Sequence, residues 1–349
     1  MTPKKHEGQI LALMIASLGI TAAVLSFGNL DSNVLLVQGL AMTHNLIAIL
    51  FIFSDLSTWK ANTTTFVLGI GLSIAFVAAL MVSPQIAIWA VLIRVSYGFI
   101  HILKDEFHFL KYSRGAQSFS SPFFLISVFV TVSAAILVKT FGIHLESKAA
   151  LDFAQFSFYA AGLLSLIWLA KGYLQNGLHR SLTEKLYYLY FFGLLLVIGL
   201  MSVNAYSNLA LLSFALVHHV ISWYLVYIHR AHQRRGQIET AKGPRWMRHL
   251  KTNPILFMVF IVVAHALYFG GAIYSIKNGW LSESQMILGE SFAKNSWSAT
   301  GQPAFFLLFD VLTYHAFGII HNTMSWRVWL TAPNQISAIS PNERSISVA

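Results

Sequence analysis

Ten apolar runs of about 18–24 residues follow one another along this chain, separated by short polar breaks. They lie near 8–27, 34–54, 64–83, 85–104, 121–142, 153–173, 186–203, 207–229, 253–275 and 303–323. A helix rising ~1.5 Å per residue needs about 20 such residues to cross ~30 Å of hydrocarbon. The pattern therefore predicts an all-α, polytopic transmembrane helical bundle of about ten spans. It forms a single helical domain over 1–329. The serine-rich end at 330–349, with Pro333 and Pro341, is expected to be a flexible cytoplasmic tail. Small surface helices are predicted within 105–119, 230–252 and 278–302; the last, with Trp280, Glu283, Glu290 and Trp297, suits an interfacial lid. Only Met1–Glu7 precede the first run and no small-residue cleavage site follows it, so no cleavable signal peptide is expected.

The polar residues between the runs set the orientation. The longest connection, 230–252, carries Arg230, Arg234, Arg235, Lys242, Arg245, Arg248 and Lys251, and the positive-inside rule makes it cytoplasmic. Ten spans then put both termini in the cytoplasm. Of the 23 lysines and arginines, eighteen fall on that side. The other side has Lys139, Lys148, Lys277 and Lys294, while Arg94 lies inside a span. A net charge of +10 is thus an orientation signal, and no nucleic-acid partner is expected. The expected location is a membrane, with the bacterial inner membrane as the specific reading.

Composition narrows the chemistry. The chain is 56% hydrophobic and 10% charged, outside the range of soluble globular domains. It has no cysteine, which excludes disulfides, thiolate ligands, iron–sulfur clusters and covalently attached haem. No phosphate-binding loop, dinucleotide-binding glycine motif, nucleophile elbow or His-Glu-x-x-His zinc motif is present.

Histidine is the informative residue. Thirteen of the fourteen fall at mid-bilayer or on the cytoplasmic side, with only His144 assigned outside. His44, His218, His219, His265 and His315 are expected near the middle of their spans. His101, His108, His179, His229, His232, His249 and His321 form a tier at the cytoplasmic rim. Ionisable groups are expensive inside a bilayer, so each mid-span imidazole is a candidate functional group. Neutral imidazole is also a common metal ligand, and helix bundles build metal sites from facing helices.

Four segments carry candidate ligands. His101, Asp105 and His108 stand at i, i+4 and i+7, on one helix face. They offer a His/Asp/His set, with Glu106 as a catalytic base; the alternative is a solvated helix end paired to Lys104 or Lys111. His218 and His219 point about 100° apart, so one of them is expected to face a site while the other bonds a neighbouring helix. His44 is joined by its mid-span depth to His218 and His315. In the last span, Asp310 and His321 share a face, with His315 nearly aligned with Asn322. Asp310 and Arg94 lie at similar depth and are expected to form a structural ion pair.

Thr43-His44-Asn45, Phe99-Ile100-His101, Val217-His218-His219 and Tyr314-His315, in that order, resemble the bacterial membrane carotenoid-cleaving dioxygenases. More broadly, the chain is similar to the integral-membrane non-haem iron oxygenases that include the fatty-acid desaturases and hydroxylases, although the desaturases' histidine boxes are absent. The resemblance implies an iron site of one or two ions. Its candidate ligands here are His44, His101, Asp105, His108, His218 or His219, His315 and His321. It also implies oxidoreductase chemistry on a membrane lipid or other lipid-soluble substrate, supported by an electron donor. Three alternatives stay open: a membrane cytochrome with b-type haem; a proton-coupled or metal transporter using the buried histidines, Arg94 and Asp310; and, last, a non-catalytic assembly or sensor protein, which does not explain so many buried imidazoles.

Overall fold

A computed structural model of the chain describes residues 3–26, 30–54, 59–114, 148–176, 205–239, 243–279 and 313–325, with isolated positions between them. Among the described residues every regular element is a helix, and none is a strand. The helices are α1 (Pro3–Ser26), α2 (Leu30–Phe53), α3 (Trp59–Val82), α4 (Pro84–Arg114), α5 (Lys148–Asn176), α6 (Ala205–Gln233), α7 (Arg245–Thr252) and α8 (Pro254–Lys277). Residues 313–325 are also helical.

Three helical segments are long and apolar enough to cross a membrane: Leu36–Phe53, Asn62–Val82 and Pro254–Lys277. Their 18, 21 and 24 residues correspond to roughly 27–36 Å of helix axis. Most of the expected spans at 186–203 and 121–142 and the first half of the one at 303–323 lie outside the described residues. So do the tail at 330–349 and the lid region beyond Gly279. The segment expected as a separate surface helix at 105–119 continues α4 without a break as far as Arg114. Within 230–252, α6 ends at Gln233 and the short helix α7 begins at Arg245.

Local chemistry explains several helix ends. Pro254 opens α8, where a missing N–H costs nothing. The Asn253 side chain accepts hydrogen bonds from the backbone N–H groups of Ile255 and Leu256, each at 3.1 Å. At the far end, Gly279 takes φ 68°, a left-handed conformation that suits glycine. Ser83 caps α4 by accepting from Ile86 N–H at 3.2 Å, again ahead of a proline.

The described residues form two compact units. One holds α4 from Ile88, α5 and α6 as far as Ala215; the other holds α2, α3, α6 from Leu216, α7, α8 and 313–325. In the first, α5 presents Phe153, Phe156, Tyr159, Leu163 and Leu174 outward. Its buried Ser165 hydroxyl donates to Ala161 O at 2.8 Å, which satisfies a polar group without a partner from another element.

In the second unit α2 is central: 67% of Leu36–Phe53 is buried, against 17% of Asn62–Val82 and of Pro254–Lys277. Both outer helices instead expose apolar side chains, including Val67, Leu68 and Ile74 on α3 and Val262 and Leu267 on α8. Met42 packs with Tyr268 and Ala272 of α8, while Ile49 packs with Ile320 and Met324. Two glycines allow close approach. A Cβ on Gly39 would collide with the Phe269 ring, and one on Gly69 would lie 2.9 Å from Ile320 Cα. Beside Gly69, the Ser73 hydroxyl donates to Gly69 O at 2.8 Å and to Ala316 O at 2.9 Å, joining α3 to 313–325.

Candidate metal centre

The centre of the second unit is built on one imidazole. His44 lies on the face of α2 that also carries Ile47, Ala48 and Phe51, and all four are buried. Its exposure is 1%, and neither ring nitrogen has a hydrogen-bond partner among the described residues. A neutral imidazole offers one donor and one acceptor, and a buried polar group left unmatched costs about 1–3 kcal/mol. Among the described residues no side chain meets that cost.

Two further imidazoles converge on it. His219 of α6 and His321 of the 313–325 helix each place a ring centroid 5.1 Å from that of His44, with interplanar angles of 84° and 85°. One ring nitrogen from each of the three residues lies within 4.8 Å of the others. All three are buried. Metal–imidazole bonds are about 2.0–2.1 Å, so the three nitrogens would have to draw closer together to share one ion. The donor set suits iron, zinc or copper, and three ligands leave positions open for exogenous groups. The buried, unmatched His44 nitrogens fit such an ion.

Aromatic side chains wall the cluster. Trp223 and Tyr224 meet His44 edge to face at 5.0 and 5.9 Å. Trp223 stacks on Tyr227 at 4.1 Å, and both rings pack against Phe51 and Phe257. His219, Trp223 and Tyr227 are spaced i, i+4, i+8, a single stripe along α6. That stripe was readable from spacing, but the sequence reading singled out only its histidine.

The structure separates the adjacent pair. His219 joins the cluster, whereas His218 directs Nε2 toward the Ser222 hydroxyl at 3.5 Å, one turn along the same helix. His315 is buried against the rings of Phe76 and Tyr314, at 5.7 and 5.0 Å. His265 donates from Nδ1 to Ile261 O at 2.8 Å, and its Nε2 lies 3.5 Å from the Tyr224 hydroxyl. His321 stands in ring contact with His44.

The remaining candidates lie on other elements. In the first unit, His101 and Asp105 of α4 are both buried, with Nε2 3.5 Å from Oδ2 across one helical turn. The i, i+4 relationship is therefore realised as a local pair. Arg94 of α4 is also buried. The side chains of Glu106 and His108, and the whole of Asp310, lie outside the described residues, and with Asp310 the expected ion pair to Arg94. Searches against protein-family models, curated proteins and solved structures found no match to this chain.

Proposed function

We propose that this chain is an integral-membrane, metal-dependent oxidoreductase that uses a histidine-held iron ion on a lipid-like substrate. The observation that carries the proposal is the convergence of His44, His219 and His321 from three helices, with both His44 nitrogens buried and unmatched. In this reading the ten apolar runs are membrane spans with both termini cytoplasmic, in a bacterial inner membrane. The exposed apolar faces of α3 and α8 support that placement, because such surface is tolerated in hydrocarbon and rare on soluble monomers.

His44, His219 and His321 would hold the ion; when bound, iron supplies redox and dioxygen chemistry that side chains lack. The residues around it have their own tasks. Trp223 and Tyr224 fix the His44 ring by edge-to-face contact and keep bulk water from it. His218, bonded within its own helix, holds α6 in register without reaching the ion. An apolar substrate reaches the cluster from the bilayer between helices, so a water-filled channel is unnecessary. Three convergent imidazoles favour a single ion over b-type haem, which takes two axial histidines and a wide slot between them.

The function is tested by comparing lipid extracts of cells expressing the wild-type chain and His44→Ala under labelled dioxygen. The proposal expects a lipid species gaining labelled oxygen or losing hydrogen in the wild type only. Identical extracts from both strains, with both proteins present at equal level in the membrane, would contradict it.

A further inference from the structure

One face of α6 runs from the histidine cluster to the basic turn. Along it His219, Trp223, Tyr227 and Arg230 follow at steps of four, four and three residues, about 16 Å of helix axis. The contacts are continuous. Trp223 lies 5.0 Å from His44 and stacks on Tyr227 at 4.1 Å with an interplanar angle of 23°. The Arg230 guanidinium stands over the Tyr227 ring at 5.3 Å. Beyond it Arg234 and Arg235 are exposed. Phe51 and Phe257 enclose the stacked pair, and Lys251 stands over Phe51 at 5.8 Å.

Packing alone does not call for this arrangement. A packed stripe in an apolar helix is satisfied by leucine or valine, yet here it carries a buried indole and a half-buried phenol, the two side chains most easily oxidised by one electron. They are stacked nearly parallel, the geometry that best overlaps their π systems. The row also ends among cations, at Arg230, Arg234 and Arg235, in the segment that the positive-inside reading makes cytoplasmic.

We propose that Trp223 and Tyr227 form an electron path between the His44–His219–His321 cluster and a docking surface at Arg230, Arg234 and Arg235 for an acidic one-electron carrier protein. The proposal rests on the metal-centre reading above and names its electron route. For each electron moved, the carrier is oxidised by one electron and the ion held by the cluster is reduced by one. No bond between heavy atoms forms or breaks along the path; when the half-buried Tyr227 is oxidised its phenolic proton passes to water, and it returns when the ring is reduced. The arginines orient the acidic carrier by charge complementarity.

The absence of cysteine makes the test direct. A single cysteine at Arg234→Cys takes one ruthenium polypyridyl photo-oxidant, in the full-length protein and in a Trp246→Phe background that removes the exposed indole nearby. Flash-quench oxidation is followed by transient absorption. The expected result is an indole-radical band that is lost in Trp223→Phe and formed more slowly in Tyr227→Phe. Phenylalanine keeps the ring packing, and circular dichroism of each variant checks the fold. An unchanged band in Trp223→Phe, or no radical in the labelled parent, would overturn the path. The signal needs no metal ion, so metal content measured on the same samples separates failure of the path from failure of the metal centre.

Discussion

His44 and His321 meet edge to face, ring centroids 5.1 Å apart at 85°, although one lies in the second helix and the other in the last described one. Both nitrogens of His44 are buried without a hydrogen-bond partner among the described residues. His219 completes the group from α6. The consequences of that geometry can be separated by mutation.

The adjacent histidines of α6 should behave differently. His219→Ala removes a ligand and is expected to abolish stable metal binding. His218→Ala truncates a fully buried side chain and should cost about 2–5 kcal/mol of stability through the cavity it leaves, with metal retained. Metal analysis and thermal unfolding of both variants check this; equal metal loss in the two would show that the pair acts together.

Gly69 should matter through His321. A Cβ there would lie 2.9 Å from the backbone of Ile320, the residue before His321. Gly69→Ala has to push the 313–325 helix outward and strain the Ser73 bond to Ala316. Overpacking of this kind costs about 1–3 kcal/mol, so a lower unfolding temperature and weaker metal retention are expected together. Gly71→Ala, which meets no atom within 4 Å, serves as the neutral control.

Helix α7 and the turn before it should be anchored to the end of α2. Lys251 Nζ donates to Ser54 Oγ at 2.6 Å, and that hydroxyl donates to Phe51 O at 2.6 Å. Gly243, at φ 115°, sits where a Cβ would be 2.7 Å from Ser54 O. Gly243→Ala meets both backbone strain and a clash, and is expected to cost about 1–3 kcal/mol. Limited proteolysis within 234–244 should speed up in this variant, and a cleavage rate equal to wild type would argue against the anchor.

Much of this was legible in the chain, for identifiable reasons. Apolar run length revealed α2, α3 and α8, because a helix crossing hydrocarbon must satisfy its own backbone and cover it with apolar side chains. Imidazoles within such runs stood out because burial makes them expensive, which singled out His44 and His219 alike. What spacing did not show was rotation about the helix axis. His218 and His219 are equivalent in sequence, and packing of α6 against α2 decides which faces His44. Counting along the last helix likewise does not show which ring turns inward: ring contact with His44 belongs to His321, while His315 packs against Phe76 and Tyr314. The i, i+4 spacing of His101 and Asp105 correctly announced proximity. The aromatic wall of Trp223 and Tyr224 became visible only once its neighbours on α2 were in place.

The measurement that bears most directly on the central claim is metal content of the purified full-length protein, by elemental mass spectrometry. Wild type, His44→Ala, His219→Ala, His321→Ala and the non-ligand control His265→Ala would be compared, with helical content checked by circular dichroism. Iron bound in wild type and His265→Ala, and lost from the three cluster variants while each remains folded, is the expected result. Wild-type levels of metal in the folded cluster variants, or no bound metal in the wild type after supplementation with iron, would contradict a metal centre at His44, His219 and His321.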